Sequence, residues 1–223
     1  MRKFAISDIH GCLKTFAALL DQIQFTTQDE LYILGDYIDR GPDSKGVIDL
    51  IWTMQAEGYQ IKCLRGNHEQ MLLNIYEDPF DPFHRGDQQL LASFGVYHAH
   101  SIPESYLDWC AQLPYFFEID NYLLVHAGFD FSTKEPLRDT YAMLWIRNWR
   151  ADIDRQWLNG RIVVHGHTPT PRPAIEMYLK AVESTPQIII DNGCVYHGRH
   201  PELGALCALE LGTRQMYFQE YAG

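Results

Sequence analysis

Short apolar runs that end on a polar cluster recur along the chain. FAIS (4–7) runs into Asp8, LYIL (31–34) into Gly35 and Asp36, and IKCL (61–64) into Arg65, Gly66 and Asn67. Later, YLLV (122–125) meets His126, RIVV (161–164) meets His165, Gly166 and His167, and IIID (188–191) leads into Asn192 and Gly193. Runs this short, rich in β-branched residues and bounded by turn formers, predict strands buried on both faces. Between the first three, LKTFAALLDQI (13–23) and SKGVIDLIWTMQAEG (44–58) place apolar residues at helical spacing, with Ser44 as N-cap and Gly58 as the stop. Strand–helix–strand alternation predicts βαβ units and parallel pairing.

Residues 78–113 break the rhythm. DPFDPFHRGDQQ is rich in turn formers and aromatics, and LLASFG and ESYLDWCAQL predict short helices. They read as a helical insertion over the sheet edge within one domain spanning 1–223. ALCALEL and QMYFQ, near the C-terminus, predict strands of a second sheet.

Composition narrows the function classes. A hydrophobic share of 46% and a charged share of 21% fit a globular chain with a sizeable core. The net charge of -11, with no Lys/Arg cluster, argues against a nucleic-acid partner. No apolar run approaches the ~18 residues of a membrane span, and no signal-peptide core is present, so no membrane partner is expected. The five cysteines form no CxxC pair, which disfavours a zinc–thiolate knot and fits reduced thiols in a cytoplasm.

The candidate chemistry sits where the strands end. In open α/β sheets ligands bind outside the carboxyl ends of strands, and five such ends here carry Asp, His or Asn. Asp8 and His10 are two apart, so an extended backbone would aim both at one ion. Asp36, Asn67, His126 and His167 complete a set of oxygen and imidazole donors without thiolates. Such donors suit manganese, iron, zinc or magnesium. Six ligands exceed what one open ion needs and match two ions sharing a carboxylate.

DIHG (8–11), GDYIDRG (35–41), RGNHE (65–69), HAG (126–128) and GHT (166–168), in this order, resemble the motif set of the phosphoprotein phosphatases, a branch of the calcineurin-like metallophosphoesterases. The likeness runs from about residue 4 to about residue 211, and the small size resembles bacterial and phage members. It implies an α+β fold, a four-layer α/β/β/α sandwich of two mixed sheets. It implies two divalent metal ions, manganese first among the candidates, at strand C-terminal ends. Asp8, His10 and Asp36 would hold one ion, and Asp36, Asn67, His126 and His167 the other. His165 is the strand-end neighbour of His167 and no ligand; Asp191 and Asn192 read as turn residues. Pro169, where the wider superfamily often carries another His, favours the phosphoprotein phosphatase branch.

The resemblance also implies the reaction. Water activated between the ions attacks phosphorus directly. His68 protonates the leaving alkoxide, and Asp39 orients and supports its imidazolium. Arg40 and Asn67 bind the phosphate, with Arg147 of LWIRNWR as a second clamp ahead of Arg150. The expected activity is phosphomonoester hydrolysis on phosphoserine or phosphothreonine of a protein or peptide, phosphotyrosine included. The alternative is symmetrical hydrolysis of dinucleoside polyphosphates, which shares the motifs; a non-catalytic metal-binding scaffold is the weaker rival. HRGDQQ (84–89), in place of a Gly-Gly segment, and the extra HPE (200–202) depart from the pattern. Arg65 reads as one half of a structural ion pair, and His84, His98, His100, His197 and His200 as surface residues.

Overall fold

The computed structural model describes residues 1–77 and 87–223. Nine strands lie among them: β1 (Lys3–Ile6), β2 (Glu30–Ile33), β3 (Gln60–Cys63), β4 (Phe116–Ile119), β5 (Tyr122–Val125), β6 (Ile162–His165), β7 (Gln187–Ile189), β8 (Ala205–Glu210) and β9 (Met216–Glu220). One sheet has the order β3-β2-β1-β8-β9, the other β4-β5-β6-β7. β1, β2 and β3 run parallel, as do β5, β6 and β7. β4, β8 and β9 add antiparallel partners, so both sheets are mixed. All eight expected strands form, and β4 is additional.

Alternation of side chains along each strand builds the layers. In β1, Phe4 and Ile6 face the helices while Ala5 faces the other sheet. Tyr32 and Leu34 turn inward beside Ala5, where Leu124, Val164 and Ile188 of the second sheet meet them. Leu123, Val125 and Val163 face outward, against Met143, Trp149 and Leu158. β1, β2, β5 and β6 are covered on both sides and so read as continuous apolar runs, whereas β3 alternates between buried and exposed positions.

The outer layers are helical. α1 (Leu13–Gln22) and α2 (Ser44–Ala56) cover the first sheet, and α3 (Asn67–Glu77) follows β3. α4 (Gln88–Phe94) and α5 (Glu104–Gln112) form as expected but pack on α2 and α3. Trp52 of α2 lies 4.7 Å from Tyr106 of α5, and Ser93 of α4 accepts from the Lys45 N–H. Residues 78–86, which include His84 and the start of the expected insertion, lie outside the described residues. α6 (Thr140–Trp145) and α7 (Arg155–Leu158) lie on the outer face of the second sheet, and α8 (Arg172–Lys180) precedes β7.

Three expectations are corrected. The C-terminal strands β8 and β9 do not belong to the second sheet; β8 pairs with β1 and extends the first. Hairpin-like alternation fixes that they pair with each other, but not which sheet edge receives them. Ser44 is not the N-cap of α2. Asp43 accepts the Gly46 N–H at 2.8 Å, and the Ser44 hydroxyl turns inward to accept from the Asp39 N–H. Among the described residues Arg65 has no acidic partner; it donates to Gln70, Tyr115 and the Ala111 carbonyl, and stacks on Tyr115.

The N-terminal edge is held by a buried carboxylate. Asp29 accepts from the Arg2 backbone N–H, from Arg2 Nε and Nη2, and from Thr26 N and Oγ1. The Arg2 hydrogen bond is the main cause that draws the Asp29 carboxyl down to about 2. A carboxyl lowered from near 4 stabilises the fold above pH ~4 and loses that contribution as pH falls towards 2. The shift corresponds to about 2 kcal/mol. Asp29→Asn is expected to lose ~1–2 kcal/mol at pH 7, and to flatten the loss of stability between pH 4 and 2, as read by urea melts across pH.

Candidate dinuclear metal site

The loops after the parallel strands meet at one place. Backbone bonds from Asp8 N to Gly35 O, His10 N to Asp36 O and Gly11 N to Tyr37 O lay the DIHG loop along the GDYID loop. The bond from Gly166 N to His126 O does the same in the second sheet. The site therefore lies above the middle of the first sheet, over β1 and β2, and not at a sheet edge.

Asp8, His10, Asp36, Asp39, Arg40 and His167 all have positive φ. These are six of the eleven non-glycine residues in that region among the described residues. Left-handed backbone costs a side-chain-bearing residue free energy and persists where the surroundings fix it. Asp8 and His10 converge through this bent loop, not through an extended strand. Gly66 and Gly41 are needed for close approach. A Cβ on Gly66 would collide with the Asp36 backbone N–H, and one on Gly41 with the His10 carbonyl.

The donors converge in two groups around Asp36. Asp36 Oδ2 lies 3.4 Å from His10 Nε2 and 4.0 Å from His68 Nε2. Asp36 Oδ1 lies 3.6 Å from His126 Nε2. Asn67 Oδ1 is 2.9 Å from His126 Nε2 and 2.8 Å from His167 Nδ1, and the two imidazole nitrogens are 3.1 Å apart. Asp8 Oδ1 is 4.0 Å from His10 Nε2. Its other oxygen accepts from the His167 N–H and the Ser7 hydroxyl. Two triads, His10–Asp36–His68 and Asp36–His126–His167, bring one donor atom each within 4.8 Å of the others.

These residues fit two divalent cations. His10 Nδ1 faces the Ile38 carbonyl at 2.8 Å, and His126 Nδ1 the Leu34 carbonyl at 2.9 Å. Each carbonyl fixes the proton on the outer nitrogen and leaves Nε2 a bare lone pair aimed inward, the usual arrangement behind a metal-ligating imidazole. Burial, then the Asp8 and Glu69 carboxylates, pushes the Asp36 carboxyl well above its ordinary range. Burial likewise pushes His10 and His167 down to about 3. The bare protein thus opposes both an anion at Asp36 and cations on the rings, and a bound cation reverses the first of these. Among the described residues His167 Nε2 is buried without a hydrogen-bond partner.

His68 and Asp39 form a pair beside this centre. Their contact, Nδ1 to Oδ2, is 2.5 Å. Burial, then Asp87, pushes Asp39 up to about 7, and burial, then Arg40, pushes His68 down to about 3. Both shifts have the same origin, since burial favours the uncharged form of each partner. Arg40 Nη1 meets His10 Nε2 at 3.0 Å. Arg147 is exposed and donates to Thr168 of GHT at 2.9 Å, next to His167, whereas Arg150 turns away onto Tyr178. His165 is buried against Gln187, apart from the donor groups. Asp191 accepts from the Gly193 N–H, and Asn192 ties Thr170, Glu202 and Ala205 together, so both serve turns.

Glu69 received no role from the sequence, yet it holds the site's frame. Its carboxylate is wholly buried and accepts the backbone N–H groups of Asp36, Tyr37 and Gly66, each at 2.9 Å. At the third position of α3 it reaches back to Gly66 just before the helix, half of a capping box. The other half comes from Asp36, whose Oδ1 accepts the His68 N–H at 3.0 Å. The Glu two residues after Asn67 was the available signal.

Fold and donor set together define a metallophosphoesterase. The chain belongs to the calcineurin-like phosphoesterase family, whose model matches residues 1–208. It is 36% identical over 131 residues to a symmetrical bis(5'-nucleosyl)-tetraphosphatase of Nitrosomonas europaea, covering 57% of this chain and 45% of that protein. The chain spans about half the length of the curated relatives of this name. It is 30% identical over 186 residues to serine/threonine-protein phosphatase 1 of Salmonella typhimurium, covering 76% of this chain and 79% of that protein. A metallophosphoesterase from Sphaerobacter thermophilus has the same fold, with a TM-score of 0.63 at 19% identity over 100% of this chain and 90% of that one. No helix among the described residues is long and apolar enough to cross a membrane.

Proposed function

We propose that the chain hydrolyses a phosphate ester or anhydride at a centre of two divalent cations bridged by Asp36. The observation that carries this is the placement of Asp36, whose two oxygens face His10 and His126 on opposite sides. Asp8 and His10 would complete one ion's ligands, and Asn67, His126 and His167 the other's. When bound, the ions would acidify water towards neutral pH and draw charge from the phosphoryl oxygens.

The remaining steps fall to the chain's own groups. Arg40, beside His10, would take phosphoryl oxygens through its planar fork, and Arg147 would approach from the Thr168 side. Asn67 would add its amide N–H. His68 presents Nε2 towards the centre while Nδ1 is tied to Asp39. It would deliver its Nε2 proton to the departing oxygen, and Asp39 would hold the ring in orientation.

Two substrate classes have support. The names of several relatives favour a dinucleoside tetraphosphate at least as strongly as any other substrate. Coverage of the Salmonella protein favours a phosphorylated protein or peptide. The sequence motifs placed the phosphoprotein first; with the relatives added, the dinucleotide stands level with it or ahead. Turnover of phosphoserine, phosphothreonine and phosphotyrosine peptides against diadenosine tetraphosphate, with Mn²⁺ added, separates them. Hydrolysis of the dinucleotide alone would discard the phosphoprotein, and hydrolysis of peptides alone would discard the dinucleotide. Inertness towards both with any divalent metal would leave only a binding scaffold.

A further inference from the structure

A recess of about 260 Å³ opens beside His68, between α3 and α4. His68, Asp39 and Arg40 line its inner end, and Met71, Leu72, Ile75 and Leu90 make an apolar wall. Asp87 stands on its lining and caps α4, accepting from the Gln89 and Leu90 N–H groups. It is continuous with the candidate site through His68, the residue assigned to the departing oxygen.

We propose that this recess is the leaving-group subsite, and that it selects an uncharged aryl leaving group over an anionic one; this rests on the reading of His68 as the proton donor. Three properties of the recess carry it. The wall is apolar, with the adaptable thioether of Met71 near Asn67. A cavity of ~150 Å³ already takes a benzene ring, so the recess holds an aryl side chain with room to spare. Among the described lining residues Arg40 is the single Lys or Arg, and it is committed to the transferred phosphoryl group and to His10. A nucleoside diphosphate leaving here would bring about three negative charges up to the Asp87 carboxylate, where charges of like sign repel. In the reaction, water adds to phosphorus and the bond from phosphorus to the aryl oxygen breaks. The bonding pair stays on that oxygen, which takes the His68 proton. A phenol and inorganic phosphate result. The side chain of a phosphotyrosine residue has this chemistry.

The test uses the full chain reconstituted with Mn²⁺ and three substrates: phenyl phosphate, glycerol 2-phosphate and diadenosine tetraphosphate. Met71→Ala, at a rim residue 38% exposed, is expected to lower the ratio of kcat/KM for phenyl phosphate over glycerol 2-phosphate by about tenfold, as removal of an apolar contact does. Asp87→Asn keeps an acceptor for the α4 cap and removes the charge. It is expected to lower the ratio of phenyl phosphate over diadenosine tetraphosphate by about fivefold. Both ratios within twofold of the unaltered chain would overturn the subsite. An unaltered chain that turns over none of the three substrates would instead overturn the catalytic reading on which it rests.

Discussion

His68→Asn in the Mn²⁺-loaded protein is expected to lower kcat for an alkyl phosphate by ~10²–10⁴, the range for removing a general acid. Asparagine keeps a polar group near the Asp39 oxygen but has no ring nitrogen to carry a proton to the departing oxygen. The loss depends on the leaving group. An alkoxide needs its proton as the bond breaks, whereas p-nitrophenolate is stable without one. The decrease should therefore shrink for p-nitrophenyl phosphate, while KM changes less than kcat in both cases. Asp39→Asn should act in the same direction, because the 2.5 Å contact orients the ring. Steady-state kinetics on the two esters decides this. An unchanged kcat on the alkyl ester would remove His68 from the reaction, and an equal loss on both would make its role structural.

The second large effect belongs to Glu69. Its carboxylate accepts three backbone N–H groups from two different loops, those carrying Asp36 and Asn67. Glu69→Ala strands all three donors in a buried space. Each unsatisfied buried donor costs about 1–3 kcal/mol, so the total is on the order of 3–5 kcal/mol after relaxation. Glu69→Gln retains the shape but sets an amide N–H₂ against at least one backbone N–H. It should destabilise less and weaken metal binding by ~10–100-fold, as loss of a residue behind the ligands does. Urea unfolding and metal titration on the same samples separate the two effects. Normal stability and metal affinity in Glu69→Ala would refute the assignment.

Much of this site was legible in the chain because the chemistry sits at strand ends. Apolar runs stopping at Asp, His or Asn marked β1, β2, β3, β5 and β6, and parallel pairing brings their carboxyl ends together. The family resemblance ranked Arg147, two residues after Trp145, above Arg150, and the structure puts it beside Thr168. What escaped depends on contacts made across the fold. Ser44 and Asp43 are equivalent as caps until one knows that the Asp39 loop claims the Ser44 hydroxyl. β8 and β9 declare each other through alternation, but their docking on β1 is a tertiary choice. The left-handed backbone at Asp8, His10 and Asp36 leaves no composition signal, because glycine is absent where it would be expected. Glu69 looks like an ordinary helix residue until its three N–H partners are seen. The close approach at Gly128 is likewise tertiary: a Cβ there would collide with the indole of Trp149, which donates to the Ala127 carbonyl at 3.0 Å.

The central claim is a pair of cations joined by Asp36, and metal counting with spin-coupling tests it most directly. Metal-free protein titrated with Mn²⁺ should bind two ions per chain, and electron paramagnetic resonance should show an exchange-coupled pair that vanishes in Asp36→Asn. A single bound ion, or two uncoupled ions in a fully active protein, would contradict the account.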